Sequence, residues 1–390
     1  MQRRIYVDYG ATTPTDPRVV EAMVPYFNQK FGNAGSIHAF GQEAREAVDR
    51  AREIVASTIG ASPQEIVFTS GATEADNFAV LGAAWANESR GRHLITSRIE
   101  HHAVLEPCRF LEARGFEVTY LPVDRAGRVD PDDVRRAIRP DTILISVMSA
   151  NNEIGTLEPV AEIGRIAREQ GILMHTDATQ SVGIVPVHVD ALSVDLLSLS
   201  AHKRYGPKGV GALYVRKGSK LARIQSGGSQ ERNRRAGTEN VPGIVGFGTA
   251  LTLALEVMDE EAAHLRRARD RLIDELTRLD GAHLNGHRTD RLPGNVNVSF
   301  EGTDSESLLL ALDFQGVAAS SGSACTSGSL EPSHVLTAIG LKPEIAAGTV
   351  RLTLGRWTTA QDVDDLLTIF PEVVRSLRPV LAGRARRAAS

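Results

Sequence analysis

The chain has 390 residues, 42% of them hydrophobic and 24% charged, with a formal net charge of −4. This size and balance call for two domains with a sizeable core, and the slight acidity and 5% aromatic content give no footprint for nucleic acid or an acidic membrane surface. Two widely separated cysteines, Cys108 and Cys325, exclude a disulfide framework and point to a reducing cytoplasm. The start "MQRRIYVDYG" lacks the apolar region of a secretory signal. No apolar run is expected to reach the roughly 18 residues of a membrane span, and the basic end "GRARRAAS" reads as a solvated, disordered tail.

In chain order, "DPRVVEAMVPYF" predicts a helix with Asp16 as N-cap, Pro17 at its first position and Val19, Val20, Met23 and Val24 on one face. "EAREAVDRAREIVASTIGA" sets Ala44, Val48, Ala51, Val55 and Ile59 at helical spacing, stopped by Gly60. "EIVFTS", "HLITS", "EVTYLPV", "TILISVMS", "ILMHTDA", "LLSLS" and "GALYV" read as short apolar strands. Helices such as "DPDDVRRAI" and "VAEIGRIAREQG" lie between several of them. The alternation predicts an α/β fold with a mostly parallel sheet covered on both faces. After about residue 255 the composition shifts. A long charged helix, "EVMDEEAAHLRRARDRLIDELTRLD", leads to strands "NVNVSF" and "VRLTLG" and a capped helix at "TTAQDVDDLLTIF". The predicted boundaries are a large domain over 13–258 and a smaller one over 1–12 and 259–390.

Several polar residues fall where apolar strands end. Lys203 in "LLSLSAHKRYGPKG" is either a solvated surface lysine or an amine that condenses with a carbonyl cofactor. Asp177 in "ILMHTDATQ" is either a turn carboxylate or a partner for a ring nitrogen. "TSGATEADN" feeds Gly71, Ala72 and Thr73 into a helix start, an arrangement that aims N–H groups at an anion. His101 and His102 in "SRIEHHAVL" lack zinc-ligand spacing, so no metal is expected; either one of them stacks on a flat cofactor or carries protons, or both are ordinary packing residues. With Asn152 in "ANNEIG" and Gln180 beside Asp177, the set supplies the parts of a pyridoxal phosphate site in chain order.

Ten segments, among them "YVDYGATTP", "VFTSGATEADN", "EHHAVL", "HTDATQSVG", "SAHKRYGPKGVGALYV", "RRAGTENV" and "SSGSACTSGSLEPSHVL", together resemble the cysteine desulfurases of the NifS/IscS-like branch. Those are fold-type I enzymes of the class V aminotransferase group, with a large α/β domain and a smaller α+β domain. The resemblance runs from about residue 5 to 365. It implies Lys203 as the lysine that binds pyridoxal 5'-phosphate, Asp177 as pyridinium partner, Gln180 as donor to the ring oxygen and His101 as the stacked histidine. It puts Ala72, Thr73, Ser200 and His202 on the phosphate, and Thr238 on the phosphate of the neighbouring subunit of a homodimer. Asn152 and Arg351 are matched to the substrate carboxylate, with Arg356 a rival, and Cys325 to the nucleophile.

The implied activity removes sulfur from L-cysteine, leaving L-alanine and a persulfide on Cys325, for an iron–sulfur scaffold or a thiolation enzyme to accept. Selenocysteine lyase, or another lyase or aminotransferase on this scaffold, is the alternative. Two departures, Ala34-Gly35 and Ser229 where the family often has Pro-Ser and Gly, remove no catalytic group. A thiol of ordinary pKa, about 8.5, is mostly protonated at neutral pH, so Cys325 needs a deprotonating environment. Its place among glycines and serines, about residues 319–333, predicts a loop able to move between cofactor and acceptor. Cys108, at helical spacing with Leu111, reads as inert packing.

Overall fold

The computed structural model describes residues 3–321 and 333–388, with side chains to residue 378. Cys325 and most of its predicted loop therefore lie outside the described residues. Among these are twelve strands: β1 (Ile5–Tyr6), β2 (Ile66–Thr69), β3 (His93–Ser97), β4 (Glu117–Leu121), β5 (Thr142–Ser146), β6 (Leu173–Asp177), β7 (Leu196–Ser200), β8 (Gly211–Val215), β9 (Ala282–Leu284), β10 (Asn295–Phe300), β11 (Val317–Ala318) and β12 (Thr349–Thr353). Every strand predicted above is present.

Seven strands form one sheet in the order β2-β8-β7-β6-β5-β3-β4. β8 alone runs against its neighbours β2 and β7, and the other pairings are parallel. The pleat sends Phe68, Ile95, Ile145, Met174 and Leu197 to one face, under the helix Ala39–Thr58 and the start of the helix Val241–Leu276. It sends Val67, Leu94, Leu144, Leu196 and Leu213 to the other, under the helices Ala72–Asn87 and His102–Glu112. A second, antiparallel sheet in the order β12-β10-β9 has its own core with Ile5, Val7, Leu272, Phe300 and Phe370. β1 pairs in parallel with β11, so the first residues of the chain belong to this smaller unit. Val335, Leu336 and Ile339 pack instead on Ile99, Met148 and Ile154 beside the large sheet.

Some expectations are corrected. The helix at Asp16 ends at Met23 and a second begins at Pro25, which leaves Val20 45% and Val24 49% exposed, so only Val19 of the predicted face enters the core. The long helix starts at Val241, fifteen residues before the charged stretch, because Asn240 caps it through its contact to the Gly243 N–H. In the fold, Gly248 sits where a Cβ would stand 3.1 Å from the Cα of Ala51, so the two helices touch backbone to backbone. The same stretch contains an 18-residue window of mean hydropathy 1.6, long and apolar enough for a span, contrary to expectation; half of it is buried inside the fold. The last helix runs Ala360–Ala388, so the described part of the basic tail, 383–388, is helical in its backbone rather than disordered.

One buried ion pair ties distant segments together. Arg52, in the helix Ala39–Thr58, meets both carboxylate oxygens of Glu231 at 2.7 and 2.8 Å and stacks on Phe68. Glu231 also accepts from the Phe68 N–H at 3.0 Å. Glu231, Arg232 and Asn233 all have left-handed backbones, with φ of 46°, 53° and 65°, a run that non-glycine residues adopt only when tertiary contacts hold it. Glu231→Ala would strand the Arg52 guanidinium in the interior, so urea unfolding is expected to show a loss of about 3–5 kcal/mol.

Candidate active site

A cavity of about 570 Å³ opens at the carboxyl ends of the parallel strands. Each strand delivers its residue just past its last pair. β2 is followed by Gly71, Ala72 and Thr73, β3 by His101, β5 by Asn152 and β7 by His202 and Lys203, while β6 ends on Asp177 itself. Parallel α/β sheets place ligands at this edge because their turns and helix N-termini converge there. Ala72, Thr73, His101, Asn152, Asp177, Gln180, Ser200, His202, Lys203 and Arg351 all line the cavity, so one fold gathers nearly the whole predicted set.

At one side the helix Ala72–Asn87 begins on Gly71 with no side chain capping it, leaving its positive end to the cavity. Gly211 makes room for that turn: a Cβ there would stand 2.8 Å from the Cα of Gly71. Ser200 and His202 border the same space. Burial, reinforced by Lys203 and Lys208, pushes the His202 imidazole down to about 4, and its Nδ1 lies 3.1 Å from the Thr12 hydroxyl.

Lys203 Nζ donates to the carbonyls of Gly10 and Ala11 at 2.6 and 2.8 Å. Gln180 reaches the same Gly10 carbonyl at 3.1 Å. The stretch 8–12 that supplies these acceptors is tied to β12 through Asp8 and Thr353, so the smaller unit closes one wall. Asp177 is buried and accepts from the Thr179 N–H at 2.9 Å. His101 caps the helix His102–Glu112, its Nδ1 taking the Ala103 N–H, and burial lowers its proton affinity.

The two candidate arginines separate. Arg351, on β12 and 2% exposed, lines the cavity, with one guanidinium nitrogen 3.0 Å from Asp8 and another 2.9 Å from the Asn152 carbonyl. Arg356 is not among the residues lining this cavity: it pairs with Glu261 at 2.8 Å and Asp16 at 3.4 Å and stacks on Tyr205. Thr238 is exposed and borders a neighbouring cavity that shares Ser70 and Gly209 with the main one. Cys108 is buried in the core with its thiol pushed up to about 12 by burial, an inert packing residue.

Both described anchors of the segment that carries Cys325 sit at this cavity. Ser320 pairs backbone to backbone with Arg351, and Ser333 donates to Glu153. Sequence reasoning assigned no cavity role to Asp76, Glu153, Lys208 and His334, all of which line it. Asp76 carried a readable signal, a carboxylate among the apolar positions of "ATEADNFAVLGAAW". His334 is reached only through tertiary structure, where its ring lies 4.9 Å from that of His102.

Fold and cavity together define a class, and the family model for class-V aminotransferases matches residues 5–366. The chain belongs to that family. Its relatives include the protein named cysteine desulfurase IscS from Dictyoglomus turgidum, 56% identical over 97% of this chain and 97% of that one. The cysteine desulfurase IscS of Methanosarcina thermophila is 56% identical over 96% of this chain and 93% of its own. Among solved structures, a NifS-like protein superposes with a TM-score of 0.91 at 40% identity, covering 96% of this chain and all of that one. SspA in complex with cysteine superposes with a TM-score of 0.80 at 40% identity, covering 91% of this chain and all of SspA.

Glu100, under the cavity, accepts from Ser97 and the Met148 N–H, yet burial pushes its carboxyl from 4.5 up to about 8. The folded protein therefore keeps this proton while the unfolded chain releases it, and stability drains by up to about 1.4 kcal/mol per pH unit as pH rises from about 5 to 8. In Glu100→Gln that drain is absent. Denaturant unfolding at pH 5 and pH 8 is expected to show the variant gaining on wild type as pH rises.

Proposed function

We propose that the chain is a pyridoxal phosphate-dependent cysteine desulfurase, which takes sulfur from L-cysteine and releases L-alanine. The observation that carries this reading is the convergence of Lys203, Asp177 and an uncapped helix end on one cavity. The donor set fits the cofactor. Ala72, Thr73, Ser200 and His202 would hold its phosphate, Asp177 its ring nitrogen, Gln180 its ring oxygen, and Lys203 its carbonyl carbon. When bound, the cofactor supplies an electron sink for the α-carbon of the amino acid.

Arg351 and the Asn152 side chain hold the substrate carboxylate, since Arg356 is committed to Glu261 and Asp16. Lys203 moves the α-proton and His101, poorly basic through burial, passes protons to and from thiols. Cys325 attacks the substrate sulfur as a thiolate. An S–S bond forms, the substrate's C–S bond breaks with its electron pair passing to the carbon, which takes up a proton on the way to alanine, and the sulfur stays behind as a persulfide. Acceptor proteins of iron–sulfur cluster assembly or thiolation then take it, in a reducing compartment.

A homodimer accounts for two features that one chain leaves open. Val20, Val24, Phe27, Phe31, Ile37 and Phe40 are all exposed along the first forty residues, more apolar surface than an isolated chain commonly shows. Thr238, outside the main cavity, then serves as a phosphate ligand for the partner's site.

In the direct test, purified protein loaded with pyridoxal phosphate turns L-cysteine into equal amounts of alanine and sulfide in the presence of a thiol reductant. Cys325→Ala loses both products and the added sulfur mass on the protein; full turnover by that variant contradicts the mechanism. Arg351→Lys raises KM about tenfold or more, while Arg356→Lys leaves KM near wild type. For the dimer, Phe27→Asp is expected to shift sedimentation to a monomer, and an unchanged dimer assigns the apolar strip to something else.

A further inference from the structure

Beside the proposed cofactor partner Asp177 stands a second carboxyl that the reaction does not use. Asp76 lies one turn into the helix Ala72–Asn87, 1% exposed, and borders the cavity. Neither of its oxygens has a well-formed hydrogen bond among the described residues, and the Ser198 hydroxyl is the donor close enough to act on the carboxyl. The nearest basic atom is Nε2 of His175, at 3.6 Å from Oδ1, too far for a hydrogen bond. That nitrogen is turned to Ser198 Oγ at 3.0 Å, and the other ring nitrogen to Ser146 Oγ at 2.8 Å. The imidazole is thus clamped between β5 and β7 and has no freedom to swing onto Asp76.

The groups that face Asp76 are few. From β6 come His175 and Asp177, from β7 Ser198, and from the turn after β3 Glu100. His175 is fully buried, which pushes it down to about 4 and keeps it neutral. Asp177 and Glu100 are acidic. An ionised Asp76 would therefore be a buried carboxylate with no cation to pair it, Asp177 beside it and only the Ser198 hydroxyl to donate, a costly arrangement for a fold to hold. His175 and Asp177 are two residues apart on β6 and so share the face that packs against Asp76's helix.

We propose that Asp76 is a positioning residue held as a neutral carboxylic acid, which with His175 keeps a single negative charge, that of Asp177, at this wall of the cavity. A second ionised carboxylate here would set a like charge against Asp177 and compete with it for a protonated ring. A neutral acid supplies polarity without that repulsion. Burial and the nearby Asp177 hold the Asp76 carboxyl well above the ordinary carboxylate range, in the same direction. The positioning role rests on the cofactor reading proposed above; the protonation of Asp76 does not.

Infrared difference spectra of wild type against Asp76→Asn at neutral pH, with and without pyridoxal phosphate, read the proton directly. Loss of a protonated-acid carbonyl stretch is expected in the variant, and loss of a carboxylate stretch instead overturns the proposal. The amide keeps size, polarity and neutrality, so Asp76→Asn should bind the cofactor within about twofold of wild type. Asp76→Leu should bind it about tenfold more weakly. Equal weakening in both variants, or none in the leucine variant, overturns the positioning role. Asp177→Asn is the separate control: unchanged cofactor binding there would defeat the ring-nitrogen reading while leaving the infrared result on Asp76 intact.

Discussion

Six of the seven strands in the large sheet run the same way, and each must release its chain at the same edge. That constraint makes the site. A residue one to six positions beyond a parallel strand has little choice but to face its counterparts from neighbouring strands, whatever their distance in sequence. The antiparallel strand β8 completes the arrangement by bringing Lys208 and Gly209 to this edge from the opposite direction. The smaller sheet adds what the large one lacks, the carbonyls of Gly10 and Ala11 on Lys203 and the guanidinium of Arg351.

The electrostatics follow from how dry this edge is. Burial lowers the basicity of His101, His175 and His202 and raises the carboxyls of Asp76, Glu100 and Glu153. Both trends push groups toward their neutral forms, since a low-dielectric surrounding penalises any charge it does not pair. A wall made of neutral polar groups leaves the few charges that remain less screened, so each acts more strongly on whatever the cavity binds.

Much of this was legible in sequence because strand, turn and helix start are local. "EIVFTS" followed by "GATEADN" announces both a strand end and the helix start beyond it, and the structure keeps both. Lys203 and Asp177 were readable as polar residues at the ends of apolar runs. What misled was local too. Gly248 gives no sign in sequence of the close approach to Ala51 that it makes inside its helix. Val20 and Val24 keep an apolar spacing, but the Pro25 restart turns them outward. No local pattern reports a contact made two hundred residues away.

By itself the sequence determined the order of elements, the chemical types available at each strand end, and the placing of Cys325 in a run of glycine and serine. Only the tertiary structure decided which of those side chains share one space. Arg351 and Arg356 differ by five positions and have the same chemistry. The pleat of β12 turns the first into the cavity beside Asn152, while the second leaves the strand to meet Glu261 and Asp16. Asp76 stands out in sequence as a carboxylate among apolar positions, but only the packing of its helix on β6 and β7 shows that it is buried with no cation to pair it. The reason is the same in both cases: covalent order sets what a side chain is, and long-range packing sets what surrounds it.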